Sequence, residues 1–137
     1  MRIFFVEDDQ NFGAVLKAYL EVNDYEVQWI DDGKDAISNF NAANIDLCIL
    51  DVMLPHVDGF TIAKEIKHIA PNMPLLFLTA KSLKPDLLEG YRLGADDYIT
   101  KPFDTDVLLY KIKAILLRHT LRCQKVNNND YFFRTIF

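Results

Sequence analysis

Apolar residues fall along this chain in two alternating patterns, short dense runs and longer stretches with helical spacing. The runs are IFFV (3–6), YEVQWI (25–30), IDLCIL (45–50), PLLFL (74–78) and DYIT (97–100). IDLCIL and PLLFL are apolar nearly throughout, as suits strands buried on both faces. Between the runs, Phe12, Val15, Leu16, Tyr19 and Leu20 fall at i, i+3, i+4, i+7 and i+8, the stripe of an amphipathic helix. Ala36, Ile37 and Phe40 predict a shorter second helix, and Ile62, Ile66 and Ile69 a third that Pro71 ends. Leu87, Leu88 and Tyr91 predict a fourth, with Pro85 in its first turn and Gly94 at its C-terminal end. Leu108, Leu109, Ile112, Ile115 and Leu116 predict a fifth. Strict alternation of strand and helix gives an α/β fold, a doubly wound (βα)5 unit whose five-stranded parallel sheet is covered on both faces. Periodicity does not fix the strand order. After Arg118 the pattern stops: HTLRCQKVNNND reads as a polar linker into YFFRTIF, a strand-like end. The expected division is therefore one domain over 1–118 and a linker with a further strand over 119–137.

Composition narrows the class without changing that picture. The 137 residues are 50% hydrophobic and 26% charged, a globular balance for a single core. No apolar run approaches a membrane span, and MRIFFVEDD reaches acid too early for a signal peptide. Two cysteines, Cys48 and Cys123, make no disulfide framework, so a cytoplasmic location is expected. The net charge of −5 is uneven, with 12 Lys+Arg against 19 Asp+Glu in residues 1–118 and 3 against 1 in residues 119–137. An acidic body argues against direct DNA binding, which needs a basic face.

The chemistry lies at the strand ends. In open parallel sheets, sites form beyond the carboxyl ends of the strands. There the sequence sets Glu7, Asp8 and Asp9 after strand 1, Asp51 after strand 3, Thr79 after strand 4, and Lys101 with Pro102 after strand 5. Each has an ordinary reading alone: Asp9 as a helix cap, Asp51 as a turn residue, Thr79 and Lys101 as incidental. Their conjunction points to a site. Two carboxylates about 4 Å apart repel by roughly 4 kcal/mol at an effective dielectric near 20. Clustered acids with a single lysine nearby need a cation, and an all-oxygen set suits Mg2+. His56, His68 and His119 are scattered and have no zinc spacing. A carboxylate beside Mg2+, an ammonium and a hydroxyl suits phosphoryl transfer with Asp51 as nucleophile.

These residues resemble the receiver domain of two-component response regulators. The resemblance rests on VEDD after strand 1, DVMLPHVDGF after strand 3, LTA after strand 4 and GADDYITKPF around strand 5, and it covers residues 1 to about 118. It implies a flavodoxin-like strand order 2-1-3-4-5. It implies Asp51 as phosphoacceptor, with Mg2+ held by Asp8, Asp51 and the Met53 main-chain oxygen, and by Glu7 through water. Lys101 would pair with the acceptor or its phosphate, and the bond before Pro102 would be cis. Thr79 and Tyr98 match the switch pair, the hydroxyl moving to the phosphoryl group and the ring turning inward. Met53, Ala80 and Lys81 would flank the acceptor and tune the phosphate's lifetime.

GADDYITKPF with DVMLP looks most like the winged-helix transcription-factor class, the OmpR/PhoB type. For that class the resemblance implies a sensor histidine kinase as phosphodonor and DNA contact only through a following domain. NNNDYFFRTIF would be the linker and first strand of that domain, or else a tail folded on the receiver itself. The class dimerises through helix 4, strand 5 and helix 5. Asp96, Asp97 and Lys111 retain part of its charge pattern, while Leu87 and Val107 stand where the class usually has an ion pair. With Val107, Tyr110, Ala114 and Leu117 as a second apolar stripe, a homodimer less dependent on phosphorylation and salt is expected.

Other functions fit less well. A stand-alone receiver acting by protein contact shares every residue of the site. An aspartyl-phosphate phosphatase would carry a general acid two residues after its nucleophile, where this chain has Met53. A flavodoxin-like cofactor module would have a Ser/Thr/Gly-rich loop after strand 1; VEDDQNF would repel a phosphate there.

Overall fold

The computed structural model describes residues 1–80, 88 and 91–127, with side chains through 121. Five strands, β1 (Arg2–Val6), β2 (Glu26–Ile30), β3 (Leu47–Asp51), β4 (Leu75–Thr79) and β5 (Asp97–Thr100), form one sheet in the order β2-β1-β3-β4-β5. Every pairing is parallel. The order expected from the resemblance is the one observed, and the apolar runs mark all five strands to within one or two residues.

The central strands divide their side chains between two cores. From β1, Ile3 and Phe5 enter one cluster while Phe4 and Val6 enter the other. Leu47 and Ile49 alternate with Cys48 and Leu50 in β3, and Leu76 and Leu78 with Leu75 and Phe77 in β4. Strand geometry forces this, because successive side chains point to opposite faces. The first core is closed by α1 (Gln10–Val22) through Leu16 and Leu20 and by α5 (Thr105–Asn127) through Leu108, Ile112, Ile115 and Leu116. The second is closed by the short α2 (Ala36–Asn39) and by α3 (Gly59–Ile69), whose Ile62, Ala63 and Ile66 point inward. Leu88, Tyr91 and Arg92 are the described residues of α4. Gly94 follows at φ +91°, its N–H bonded to Tyr91 O, the left-handed ending expected of a glycine there.

Several expectations change. Val15 and Ile69 are exposed, not core, because spacing finds the centre of an apolar stripe better than its edges. Leu88 and Tyr91 are also exposed. The linker expected from residue 119 begins as helix: α5 continues through residues 119–127 to Asn127. Leu121, Arg122, Gln124 and Lys125 are good helix formers, and polar residues do not end a helix already nucleated by packing. Leu87, Lys81, Pro85 and residues 128–137, with the strand expected in YFFRTIF, lie outside the described residues.

Candidate functional site

The candidate residues lie at the carboxyl edge of the sheet, Asp51 and Thr79 as the last residues of β3 and β4, and Glu7, Asp8 and Lys101 in the loops after β1 and β5. After β1, Asp9 caps α1 by accepting the Phe12 N–H at 3.0 Å, which turns the chain sharply and leaves Glu7 and Asp8 at the strand end. Glu7 faces inward and is 1% exposed. Trp29, the only tryptophan, donates from Nε1 to the Glu7 main-chain oxygen at 2.9 Å and so fixes the backbone there. After β3, the Met53 N–H donates to Asp51 Oδ1 at 2.9 Å, and Asp58 caps α3 through the Thr61 N–H at 2.8 Å. Gly59 lets α3 start directly against the end of β3. A Cβ there would lie 2.2 Å from the Asp51 main-chain oxygen. After β5, the Lys101–Pro102 bond is cis, as expected, and the Lys101 N–H donates to Thr79 O at 2.7 Å.

Lys101 joins the loops. Its Nζ lies 2.5 Å from Glu7 Oε1 and 3.0 Å from Asp51 Oδ2. Carboxylate oxygens of Glu7, Asp8 and Asp51 all fall within 4.8 Å of one another. Asp51 is 5% exposed and Thr79 3%, whereas Asp8 is exposed. One buried ammonium cannot offset two buried carboxylates. Burial, with the Asp51 hydrogen bond and charge adding to it, pushes the Glu7 carboxyl up to about 8 against the pull of Lys101. Burial alone would lower the Lys101 pKa, but Glu7 and Asp51 outweigh it and hold the ammonium above its usual range. This surplus of hard oxygen ligands fits Mg2+, with Asp8 on the solvent side and Asp51 on the buried side.

The arrangement is a buried carboxylate, its counter-cation and a buried hydroxyl at one sheet edge. The response regulator receiver domain family matches residues 3–113. The chain belongs to this family. The receiver is 44% identical to the transcriptional regulatory protein RprY of Bacteroides fragilis, over 93% of this chain and 54% of that protein. It is 39% identical to the transcriptional regulatory protein PcoR of Escherichia coli, over 85% of this chain and 52% of that one. Among solved structures, the non-phosphorylated HemR receiver domain of Leptospira biflexa aligns with TM-score 0.80 at 36% identity, over 84% of this chain and 93% of that one. The response regulator DrrB, a Thermotoga maritima OmpR/PhoB homolog, aligns with TM-score 0.77 at 34% identity, over 85% of this chain and 52% of that one. The receiver thus spans about half the length of the curated relatives it matches.

The other expected residues divide. The Tyr98 ring lies inward in this structure, stacked on Phe77 with centroids 5.4 Å apart and edge-on to Tyr91 at 5.1 Å. Met53 is 69% exposed, and Ala80 is exposed too. Asp96 accepts the Leu75 N–H at 2.9 Å and so secures the start of β4, while Lys111 pairs with Asp97 at 2.8 Å inside the chain. Val107 and Tyr110 are exposed. Spacing did not reveal Phe12, Trp29 or Gly59 as parts of the site. Phe12 counted as core stripe and Trp29 as strand filler, and only their three-dimensional neighbours distinguish them.

Proposed function

We propose that this receiver is a phosphorylation-controlled signalling switch that accepts a phosphoryl group on Asp51, with Mg2+ as cofactor and a sensor histidine kinase as donor. The observation that carries this is the Lys101 ammonium bridging Glu7 and Asp51 beside the three-carboxylate cluster. In the transfer, an Asp51 carboxylate oxygen forms the new bond to phosphorus as the bond from phosphorus to the donor imidazole nitrogen breaks. The electron pair of that bond stays on the imidazole. The Met53 N–H and Lys101 hold the two Asp51 oxygens, so the nucleophile is oriented before the donor arrives. Asp8, Asp51 and the Met53 main-chain oxygen, with Glu7 through water, would hold Mg2+, which when bound would supply positive charge to the transferred group. Lys101 stays with the phosphoryl oxygens, Thr79 donates its hydroxyl to them, and Tyr98 occupies the space behind. The domain acts only on its own aspartate, forming and losing the phosphate, and turns over no metabolite. Asp51→Ala should abolish acid-labile labelling by acetyl phosphate with Mg2+; labelling that survives the change would refute Asp51 as acceptor.

The readout we infer is transcriptional and cytoplasmic: phosphorylation shifts the α4–β5–α5 face and, through dimerisation, a winged-helix DNA-binding domain of the longer protein. The names of the similar transcriptional regulators support this, as does the acidic body of the receiver itself. The second copy is suggested by α5. Val107, Tyr110, Ala114, Leu117 and Leu121 are exposed at 3-4-3-4 spacing, the seam of self-pairing helices. Such a contact is not screened by salt and desolvates no charge. Sedimentation of the unphosphorylated protein should therefore show a dimer that survives moderate salt. A monomer at high micromolar concentration would exclude it.

A further inference from the structure

The Lys101 ammonium touches more than its two carboxylates. Its Nζ lies 4.2 Å from the centroid of the Phe12 ring. Phe12 is in turn packed edge-on by Phe103, with centroids 5.8 Å apart and planes at 89°. The two rings come from the two loops that must meet. Phe12 sits in the first turn of α1, its N–H on the Asp9 cap just beyond Glu7 and Asp8, and Phe103 lies two residues beyond Lys101. The face of an aromatic ring carries negative potential and attracts a cation, most strongly where water is partly excluded. Glu7, Asp51 and Phe12 therefore hold the ammonium from three directions.

We propose that Phe12, braced by Phe103, is a positioning residue for phosphoryl transfer, its ring face keeping the Lys101 ammonium beside the acceptor while the charge around it rearranges. The inference rests on Asp51 being the acceptor. Before transfer Lys101 has two carboxyl anchors, Glu7 and Asp51. As the Asp51 oxygen bonds to phosphorus, the negative charge moves outward onto the phosphoryl oxygens. The buried Glu7 carboxyl, 2.5 Å from the ammonium, then remains as its hydrogen-bond anchor and draws it back toward β1. A lysine has a flexible four-carbon stem and can follow that pull. The ring is uncharged, and its attraction is the same before and after the bond forms. It therefore opposes the retreat without competing for the phosphoryl group.

The experiment uses the full chain with acetyl phosphate and Mg2+, and reads the labelling rate of Asp51. Phe12→Leu keeps apolar bulk and loses the ring face, so labelling should slow by about fivefold. Phe12→Tyr keeps the face and should label at close to the original rate. Replacing Phe12 by phenylalanines of increasing fluorination weakens the ring's negative face with little change in shape, and the rate should fall step by step. The Mg2+ concentration giving half the maximal rate should stay constant through the series, because the substitutions alter only the ring, which faces the lysine. A flat fluorination series, or Phe12→Leu labelled as fast as the original chain, would overturn the proposal. So would a half-saturating Mg2+ concentration that moves with the rate, since the effect would then run through the carboxylates. Labelling that persists in Asp51→Ala would instead overturn the acceptor assignment, independently of Phe12.

Discussion

Three neighbouring strands of this sheet, β2, β1 and β3, end in acids, and the acids do different work. Beyond β2, Asp31 accepts the Gln10 side chain at 2.9 Å. Asp32 caps the turn at Gly33–Asp35 through the Lys34 N–H at 3.0 Å, meets His56 at 3.1 Å, and lies 3.7 Å from the exposed Lys34 ammonium. The Lys34 N–H, helped by His56, holds the Asp32 carboxyl below its usual range, so Asp32 stays charged and solvated. Beyond β1 and β3, Glu7 and Asp51 are buried around one lysine, and Glu7 is driven the opposite way. Position at a strand end is common to both groups. What distinguishes the site is burial of like charges around a shared cation.

That contrast can be broken at its cations. The largest effect is expected from Lys101→Met, which leaves Glu7 and Asp51 buried without a counter-charge. In Mg2+-free urea unfolding the loss should be about 3 kcal/mol, the scale for breaking one side of a buried ion pair. A cost within the scatter of ordinary surface variants would show that the lysine does not hold the pair. The smallest effect is expected from Lys34→Met, made at a pair whose lysine is exposed and meets one acid, Asp32. Neither its unfolding midpoint nor its acetyl phosphate labelling should change measurably. If labelling slowed, the acids beyond β2 would belong to the site after all.

The fold was legible in the sequence because every strand is a dense apolar run and each long helix carries at least one clear stripe. Less visible was the length of α5, since residues 119–127, HTLRCQKVN, carry too few apolar residues to continue the stripe. The acids, Thr79 and Lys101 could be read from strand ends because topology alone gathers them at one edge. Phe12, Trp29 and Gly59 could not, as each acts through a neighbour distant in sequence: Lys101, the Glu7 carbonyl and the Asp51 carbonyl. Asp96 and Asp97 were read for an interface; within the chain Asp96 accepts the Leu75 N–H and Asp97 pairs with Lys111. Charge pattern alone does not say whether a pair is internal or shared between copies.

The unbroken run of α5 makes residues 119–127 a gearing element. An α-helix advances about 1.5 Å and turns about 100° per residue. Adding or removing one residue there would swing any following chain about a quarter-turn around the receiver, whereas a change of seven would nearly restore the angle. The number of residues between Arg118 and Asn127 thus sets a phase as well as a distance.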